Sequence, residues 1–462
     1  MTTYDVRVWN INEHRGRRDR KTGRDRTTYR LRWVVAGRTF SASFQTKALA
    51  ESFRSRLVIA QREGVAFDEK SGLPEPMARE LNSSSWYQHA CAYVDMKWPR
   101  AAGKHRRSIA ESLATVTPAL LASDRGMPPA AAIREALYTW AFNSGRRKDG
   151  PPPEDLAAAV RWLEANTVRL SDLRDAALVR KALDLIATRL DGRPAAATTV
   201  ARKRAVFYGA LRYAVELGRL DTHPMDHVQW AAPKANEEVD RRTVVNPDQA
   251  RQLLAAVEDR EPRLTAFFGC MYYAALRPAE ALHLRRDDCE LPDTGWGWLH
   301  LTGSTQHVGE GWGDDAGVRE DRGLKHRATS AVRDVPAAPV LVAMLRRHLD
   351  TFGTTPDGRL FQATGHRSGA VSLGTYTRVW RQARTAAFTE RQQRSPLARV
   401  PYHLRHAAVS LWLNAGVPAT QVAEWAGHSV HVLLKVYARC IDGQDDAARR
   451  RIEAALSLGS DQ

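Results

Sequence analysis

Two arginines, a lysine, a histidine and a tyrosine, spread between residues 277 and 437, could together handle a phosphodiester. Arg277 stands in AALRPAEALHLRRDD, where Pro278 holds it extended just before a helix start. A guanidinium beside the first N–H groups of a helix is a ready anion site, and Glu280, three residues on, could orient it. Arg405, in PYHLRHAAVSLWLNAG, falls in the first turn of a helix expected to end at Gly416, where the helix dipole adds to its charge. Lys325, in RGLKHRATSAVRDVP, is expected near the start of the second of two strands. The first is WLHLTG, and the polar, glycine-rich STQHVGEGWGDDAGVREDRG joins them. In EWAGHSVHVLLKVYARC, Gly427 ends one helix, His428 follows it, and Tyr437 lies on the next.

Each residue alone has a plainer reading. Val430, Leu433, Leu434 and Tyr437 recur at i, i+3, i+4 and i+7, so Tyr437 could be one aromatic on a core stripe. Arg277 could be a surface arginine paired to a glutamate, and Lys325 one exposed lysine among many. As a set they make chemical sense. Two arginines can clamp the non-bridging oxygens of a phosphate in its charge-spread transition state. A tyrosine, with a pKa of about 10, is a poor nucleophile until its proton leaves. A lysine can protonate the departing sugar oxygen, and a histidine can donate to the phosphate. His403 and His406 form an i, i+3 pair, but no carboxylate or cysteine cluster supports a metal there. The arginines do what a metal would, so no metal or cofactor is expected.

The bulk numbers agree with a polyanion partner. The chain has 462 residues, which suggests about three domains. Lys and Arg number 69 against 52 Asp and Glu, a net charge of +17. Such an excess points to nucleic acid, discounted because GC-rich coding also raises arginine. No apolar run reaches the roughly 18 residues of a membrane span, and MTTYDVRVWN lacks a secretory core. Cys91, Cys270, Cys289 and Cys440 lie far apart without a CxxC pair, as expected of reduced thiols in a cytoplasmic protein.

Residues 1–70 read as a small module. Strands are expected at 4–11, 29–36 and 38–44, with a turn at Gly37, followed by a helix capped by Thr46 and ended at Gly64. Between the first two strands lies RGRRDRKTGRDR, either a solvated loop or a hairpin tip that grips phosphate. Arg18, Arg30 and Arg32 are its candidate DNA contacts. Residues 80–225 read as helical, broken at GMPP and DGPPPED. One strong helix, ATTVARKRAVFYGALRYAVELGRL, carries Arg202, Lys203 and Arg204 near its start, on either a DNA-gripping or a merely solvated face. A linker follows at 226–245. The last domain is expected at 246–448, opening with a helix capped by Asn246 and led by Pro247, and 449–462 forms a tail.

The order R…K…(H)xxR…GH…Y, with ALRPAEALHL, LRHAAVSLWLNAG and EWAGHSVHVLLKVY, resembles the tyrosine recombinases of the phage-integrase type. It is most similar to the integrases of actinobacterial phages and integrative elements. The resemblance is strong over the last domain, moderate over the helical one and weak over the N-terminal module. It implies a multidomain fold: a small N-terminal β-sheet plus helix arm-binding module, an all-α core-binding domain and a mixed α+β catalytic domain. It also implies a site-specific integrase acting as a tetramer on double-stranded DNA attachment sites in the bacterial cytoplasm, with an excisionase and a host DNA-bending protein as further partners. Arg277 and Arg405 would bind the scissile phosphate, Lys325 would be the general acid and His428 would support the phosphate. Tyr437 would form a 3′-phosphotyrosyl bond, so that religation needs no ATP. Where the family usually has a histidine, three residues before Arg405, this chain has Tyr402. Its hydroxyl could fill the role, acid–base assistance could be weakened there, or Tyr402 could itself be the nucleophile. Two other functions stay open, a type IB topoisomerase and a catalytically silent DNA-binding regulator. The family's C-terminal segment also often docks on a neighbouring subunit, which would involve Ile452, Ala455 and Leu456 unless they pack on their own domain.

Overall fold

The computed structural model describes residues 2–18, 25–81, 84–234, 238–315, 317–324, 331–363, 371–440, 449–450, 452–453 and 456; the side chains of 15–18, 25–26, 79–81 and 439 lie outside that description. The chain divides into two compact units, Met1–Pro99 with Ile109–Pro233, and Arg100–Ser108 with Lys234–Gln462.

The first unit opens with an antiparallel sheet centred on Asp25–Val35. Alternation decides its faces: Leu31, Trp33 and Val35 are buried, while Arg30 and Arg32 point the other way. The helix Lys47–Arg62, capped by Thr46, covers the apolar face with Ala50, Leu57 and Ala60. One edge of the central strand carries Arg38–Phe44. The other carries both Val6–Val8 and Asn12–Arg18, with an irregularity between Arg15 and Arg18. Of the first expected strand, 4–11, only Val6–Val8 forms; Asn12–Arg18 is a further strand, and it and the start of Asp25–Val35 lie in the basic stretch. An eleven-residue central strand has edge to pair both. Arg18 and Asp25 are paired arms of this hairpin; residues 19–24 lie outside the described residues.

The helical part has its own core. Trp86 starts the helix Trp86–Lys97 under a Ser85–Gln88 capping box and meets Phe207 edge-on, centroids 5.7 Å apart. Phe207 lies on Ala197–Glu216, the strong helix expected from sequence, which buries Val200, Phe207, Ala210, Leu211 and Ala214.

The second unit is mixed. Residues 100–108, expected in the helical domain, belong here because of what they bond. Gly103 N–H donates to Glu320 at 2.9 Å, Arg106 donates to the Trp312 carbonyl at 3.1 Å, and Arg107 donates to the Val308 carbonyl at 3.1 Å. Asn246 and Gln249 form the capping box of Pro247–Glu258, as the sequence indicates. A three-stranded sheet runs Arg333–Ala337, Gly297–Leu301, Cys289–Glu290, and Ser304–His307 pairs separately with Arg319–Arg322. The expected pairing of these two stretches holds, but the second strand forms only at the end of its stretch and not near Lys325. The partner of the 297–301 strand is 333–337, whose Val335 and Ala337 are buried, and Lys325 lies outside the described residues. The helix Thr265–Tyr273 runs through the core, and the chain then turns at Ala274 and Ala275 into Arg277.

Phe267 on that helix is fully buried, with ring contacts to Phe268, Phe361 and Tyr376 at 5.2, 5.6 and 5.2 Å. Phe267→Ala should therefore cost about 3–5 kcal/mol, read as a lower urea midpoint; an unchanged midpoint would mean that the cluster does not support the turn.

Candidate active site

The site grows out of one carboxylate. Glu280 is 3% exposed on a helix of only four residues, Pro278–Ala281. It accepts from the Arg277 backbone N–H at 2.8 Å and from Arg277 Nη1 at 2.7 Å. It also takes a bidentate pair from Arg333, Nη1 at 3.0 Å and Nη2 at 2.8 Å. Burial alone would raise the Glu280 carboxyl, but Arg333, Arg277 and Arg405 overturn this and hold it at about 2. The expectation that helix N–H groups beside Arg277 bind an anion is thereby revised. Glu280 caps that short helix, and anion affinity must come from the guanidiniums.

Arg405 does lie in the first turn of a helix, His403–Asn414, yet its guanidinium leaves that dipole. It is fully buried and donates to the carbonyls of Ala275 and Ala426. Ala426 is the last residue of Ala419–Ala426, so the cation sits at a helix C-terminus, where the dipole favours it. Ala275 has φ 49, a region a non-glycine residue rarely adopts, and the bond from Arg405 holds that turn. Gly427 then ends the helix in the left-handed conformation, φ 65. A Cβ there would strike the Arg333 guanidinium and lie 3.2 Å from Arg277 Nη1, so only glycine lets the arginines close in. Arg277 Nη2 donates to the Gly427 carbonyl at 2.9 Å.

This turn delivers His428. Its Nε2 is 2.9 Å from Arg405 Nη2. Burial, then Arg405, Arg277 and Arg333, hold its pKa at about 3, so the ring is neutral and Nε2 accepts. Nδ1 therefore carries the proton. It is buried with no hydrogen-bond partner among the described residues, as is Arg405 Nε. Ser429 caps the next helix, Val430–Tyr437, and Tyr437 ends it at 1% exposure. The expected apolar stripe is only half used. Leu433 and Tyr437 are buried, whereas Val430 and Leu434 are 38% and 42% exposed. The Tyr437 ring lies 6.0 Å from that of His428, and its hydroxyl is 2.8 Å from His406 Nδ1. Burial raises the Tyr437 pKa above the ordinary phenol value although Arg405 and Arg277 oppose this.

Arg277, Arg405, His428 and Tyr437 are thus brought together, and Tyr402 joins them. Its ring meets His406 edge-on at 5.1 Å, and it helps Glu280 keep Arg277 charged against the cost of burial. Sequence reasoning missed Arg333 and His406. Arg333 had a signal, an arginine in register with buried Val335 and Ala337 on a period-2 strand. His406 was weighed only as half of a metal pair with His403. Their rings are 5.9 Å apart, and no metal-ligating group of three or more His, Cys, Asp or Glu side chains is gathered among the described residues.

The DNA-contact candidates lie in the first unit. Arg30 donates to Ser41 at 3.1 Å, and Arg32 is exposed. Arg202 and Lys203 are paired with Glu111 at 3.1 and 3.2 Å, so a phosphate would have to compete for them. Arg204 Nε is buried with no partner among the described residues, and the Arg18 side chain lies outside them.

No protein-family profile matches the chain, and no curated protein is similar to it. Solved structures with a similar chain path include the Tn1549 transposon integrase in complex with a circular intermediate DNA (14% identity, 67% of this chain and 96% of that one, TM-score 0.47). A lambda integrase tetramer bound to a Holliday junction is similar at 13% identity, over 90% and 93% of the two chains, TM-score 0.45. XerH site-specific recombinase bound to palindromic difH substrate is similar at 12% identity, over 78% and 97%, TM-score 0.42. The chemistry is carried by the side chains described above.

The site's charge is measurable in stability. His428 and His406 are held at about 3 and about 4, below the ordinary 6.5, both by burial first. The unfolded chain binds protons there that the folded chain does not. Their contribution is complete above pH 6.5 and is lost as pH falls toward 4. Glu280 adds a loss below 4.5. Urea midpoints should fall from pH 6.5 to 4.5, and His428→Asn and His406→Asn should each flatten the slope by up to one proton; equal slopes would contradict the neutral rings. Separately, Arg333→Met breaks a buried pair and should cost about 3–5 kcal/mol at pH 7 by urea unfolding, an effect absent if Arg333 were merely packed.

Proposed function

We propose that the chain is a DNA strand transferase of the tyrosine-recombinase type, a site-specific integrase. One observation carries this: a buried tyrosine near arginines that share a single carboxylate, its ring 6.0 Å from that of a histidine whose Nδ1 has no partner among the described residues. Three guanidiniums against one carboxylate leave two positive charges. A phosphodiester brings one negative charge, and an attacking phenolate brings a second. The excess therefore matches the transition state better than the bound substrate, which is what accelerates a reaction.

In the proposed reaction Tyr437 Oη loses its proton and forms a bond to phosphorus. The bond from phosphorus to the 5′-oxygen breaks, and that oxygen takes a proton to become a 5′-hydroxyl. Arg277 and Arg405 hold the non-bridging oxygens, and His428 Nδ1 donates to one of them. Tyr402 would donate through its hydroxyl where a histidine usually stands, and Lys325 would protonate the leaving oxygen. Attack by a second 5′-hydroxyl reverses the step on a new strand without ATP. The motif resemblance and the net charge of +17 support action on double-stranded DNA attachment sites, four copies exchanging strands, with an excisionase and a DNA-bending protein as partners. Arg30, Arg32, Arg202, Lys203 and Arg204 would contact backbone phosphates. Ile452 and Leu456, 59% and 74% exposed, would dock on a neighbouring copy.

The test is covalent trapping. A duplex selected from a random-sequence pool for tight binding is given staggered nicks, so that a short cleaved fragment diffuses away. Wild-type protein should form a complex that survives denaturation, and Tyr437→Phe should form none. A full yield with Tyr437→Phe would remove Tyr437 as nucleophile and make Tyr402 the next to substitute. No complex on DNA that the protein binds would favour a silent DNA-binding regulator. Relaxation of any supercoiled plasmid, without site preference, would favour a type IB topoisomerase.

A further inference from the structure

The proposed cleavage needs a group that removes the Tyr437 proton, and the motif resemblance leaves that group open because Tyr402 stands where a histidine is usual. Among the described residues, the ionisable neighbours of the hydroxyl differ in what they can accept. His428 is stacked near the ring, but its Nε2 is committed to Arg405 and its Nδ1 carries a proton, so it can only donate. Arg405 and Arg277 are cations bound to carbonyls and to Glu280. Cys440 is buried, and burial raises its thiol above the ordinary value, so it stays protonated. Tyr402 is a phenol like Tyr437 and has no advantage as a base. His406 remains, with Nδ1 2.8 Å from Tyr437 Oη.

Resting on the strand-transfer function proposed above, we infer that His406 Nδ1 is the general base that accepts the Tyr437 proton as the P–O bond forms. Residues 402 and 406 are four apart, so they share one face of the helix at its start, and their rings touch at 5.1 Å. The basic nitrogen that the usual pattern puts at position 402 is supplied here one turn later, directly on the nucleophile. The groups facing His406 among the described residues are Tyr402, His403 and Arg405 from its own helix and helix start, and Tyr437 from the next helix but one. Burial, His403 and Arg405 hold the ring neutral, to about 4, so it is ready to accept. An imidazolium beside Arg405 is costly in the free protein. An anionic phosphate on Arg277 and Arg405 offsets their charge and makes the proton easier to take. Proton transfer is thereby tied to DNA being in place. The proton passes from Oη to Nδ1, the electron pair left on Oη forms the bond to phosphorus, and the 5′-oxygen leaves with its own pair and is protonated by another group.

The experiment measures single-turnover covalent trapping on the nicked duplex for wild type, His406→Ala and His406→Asn. Asn presents a polar atom where Nδ1 stands but cannot take a proton. Both variants should bind the duplex as wild type does and form adduct about 10²- to 10⁴-fold more slowly. Their rates should rise with pH where the wild-type rate is flat, and added imidazole should restore part of the His406→Ala rate. A wild-type rate in either variant, or slow Ala with wild-type Asn and no effect of imidazole, would reduce His406 to a positioning or structural role. Wild type that forms no adduct would sink the strand-transfer function and the base with it, a result distinct from normal adduct formation in the variants.

Discussion

Everything at this site depends on the buried carboxylate of Glu280. Three guanidiniums gathered this closely repel each other, and no packing arrangement alone would hold them there. One acceptor group, shared among the Arg277 backbone, the Arg277 side chain and both arms of Arg333, with Arg405 4.0 Å away, makes the gathering stable. The charge it leaves over is equally important. A fully neutralised cluster would be a structural ion pair, whereas this one still wants an anion.

Burial works on the neutral groups in the opposite sense. It keeps His428 and His406 neutral, so that His428 accepts from Arg405 at Nε2 and can donate at Nδ1, while His406 Nδ1 can accept from Tyr437. The same two rings charged would add to an already positive pocket. Positive charge thus stays on arginines, which cannot lose it, and the histidines are reserved for hydrogen bonds and proton movement.

Much of this was legible in the sequence where a local rule carried it. Pro278 announced Arg277, Gly427 announced the turn into His428, and the helix starts around Arg405 and Tyr437 were visible from capping and periodicity. The rest depended on distant partners. Nothing local says that Arg405 reaches past its own helix to Ala275 and Ala426, 130 and 21 residues away. Arg333 was passed over because its partner, Glu280, lies 53 residues earlier. His406 was set aside because two histidines on a helix suggest a metal, and that idea hid the simpler one, a histidine meeting a tyrosine from the next helix but one. In the N-terminal sheet, alternation located the buried face correctly. It could not tell that one long strand would pair with two short ones.

A raised pKa works against a nucleophile, and burial raises that of Tyr437. It has a consequence that suits the proposed chemistry. A phenol exposed to water beside three arginines would be drawn toward ionisation and would be free to react with any electrophile. Here burial outweighs the arginines, so the hydroxyl stays protonated until something changes the local balance. The overall charge of the chain cannot make that change, because its field is screened beyond about 10 Å at 0.1 M salt. Only an anion in direct contact with Arg277 and Arg405 can. In the proposed reaction, long-range attraction would gather DNA, contact with the guanidiniums would recognise the phosphate, and the proton would leave Tyr437 last.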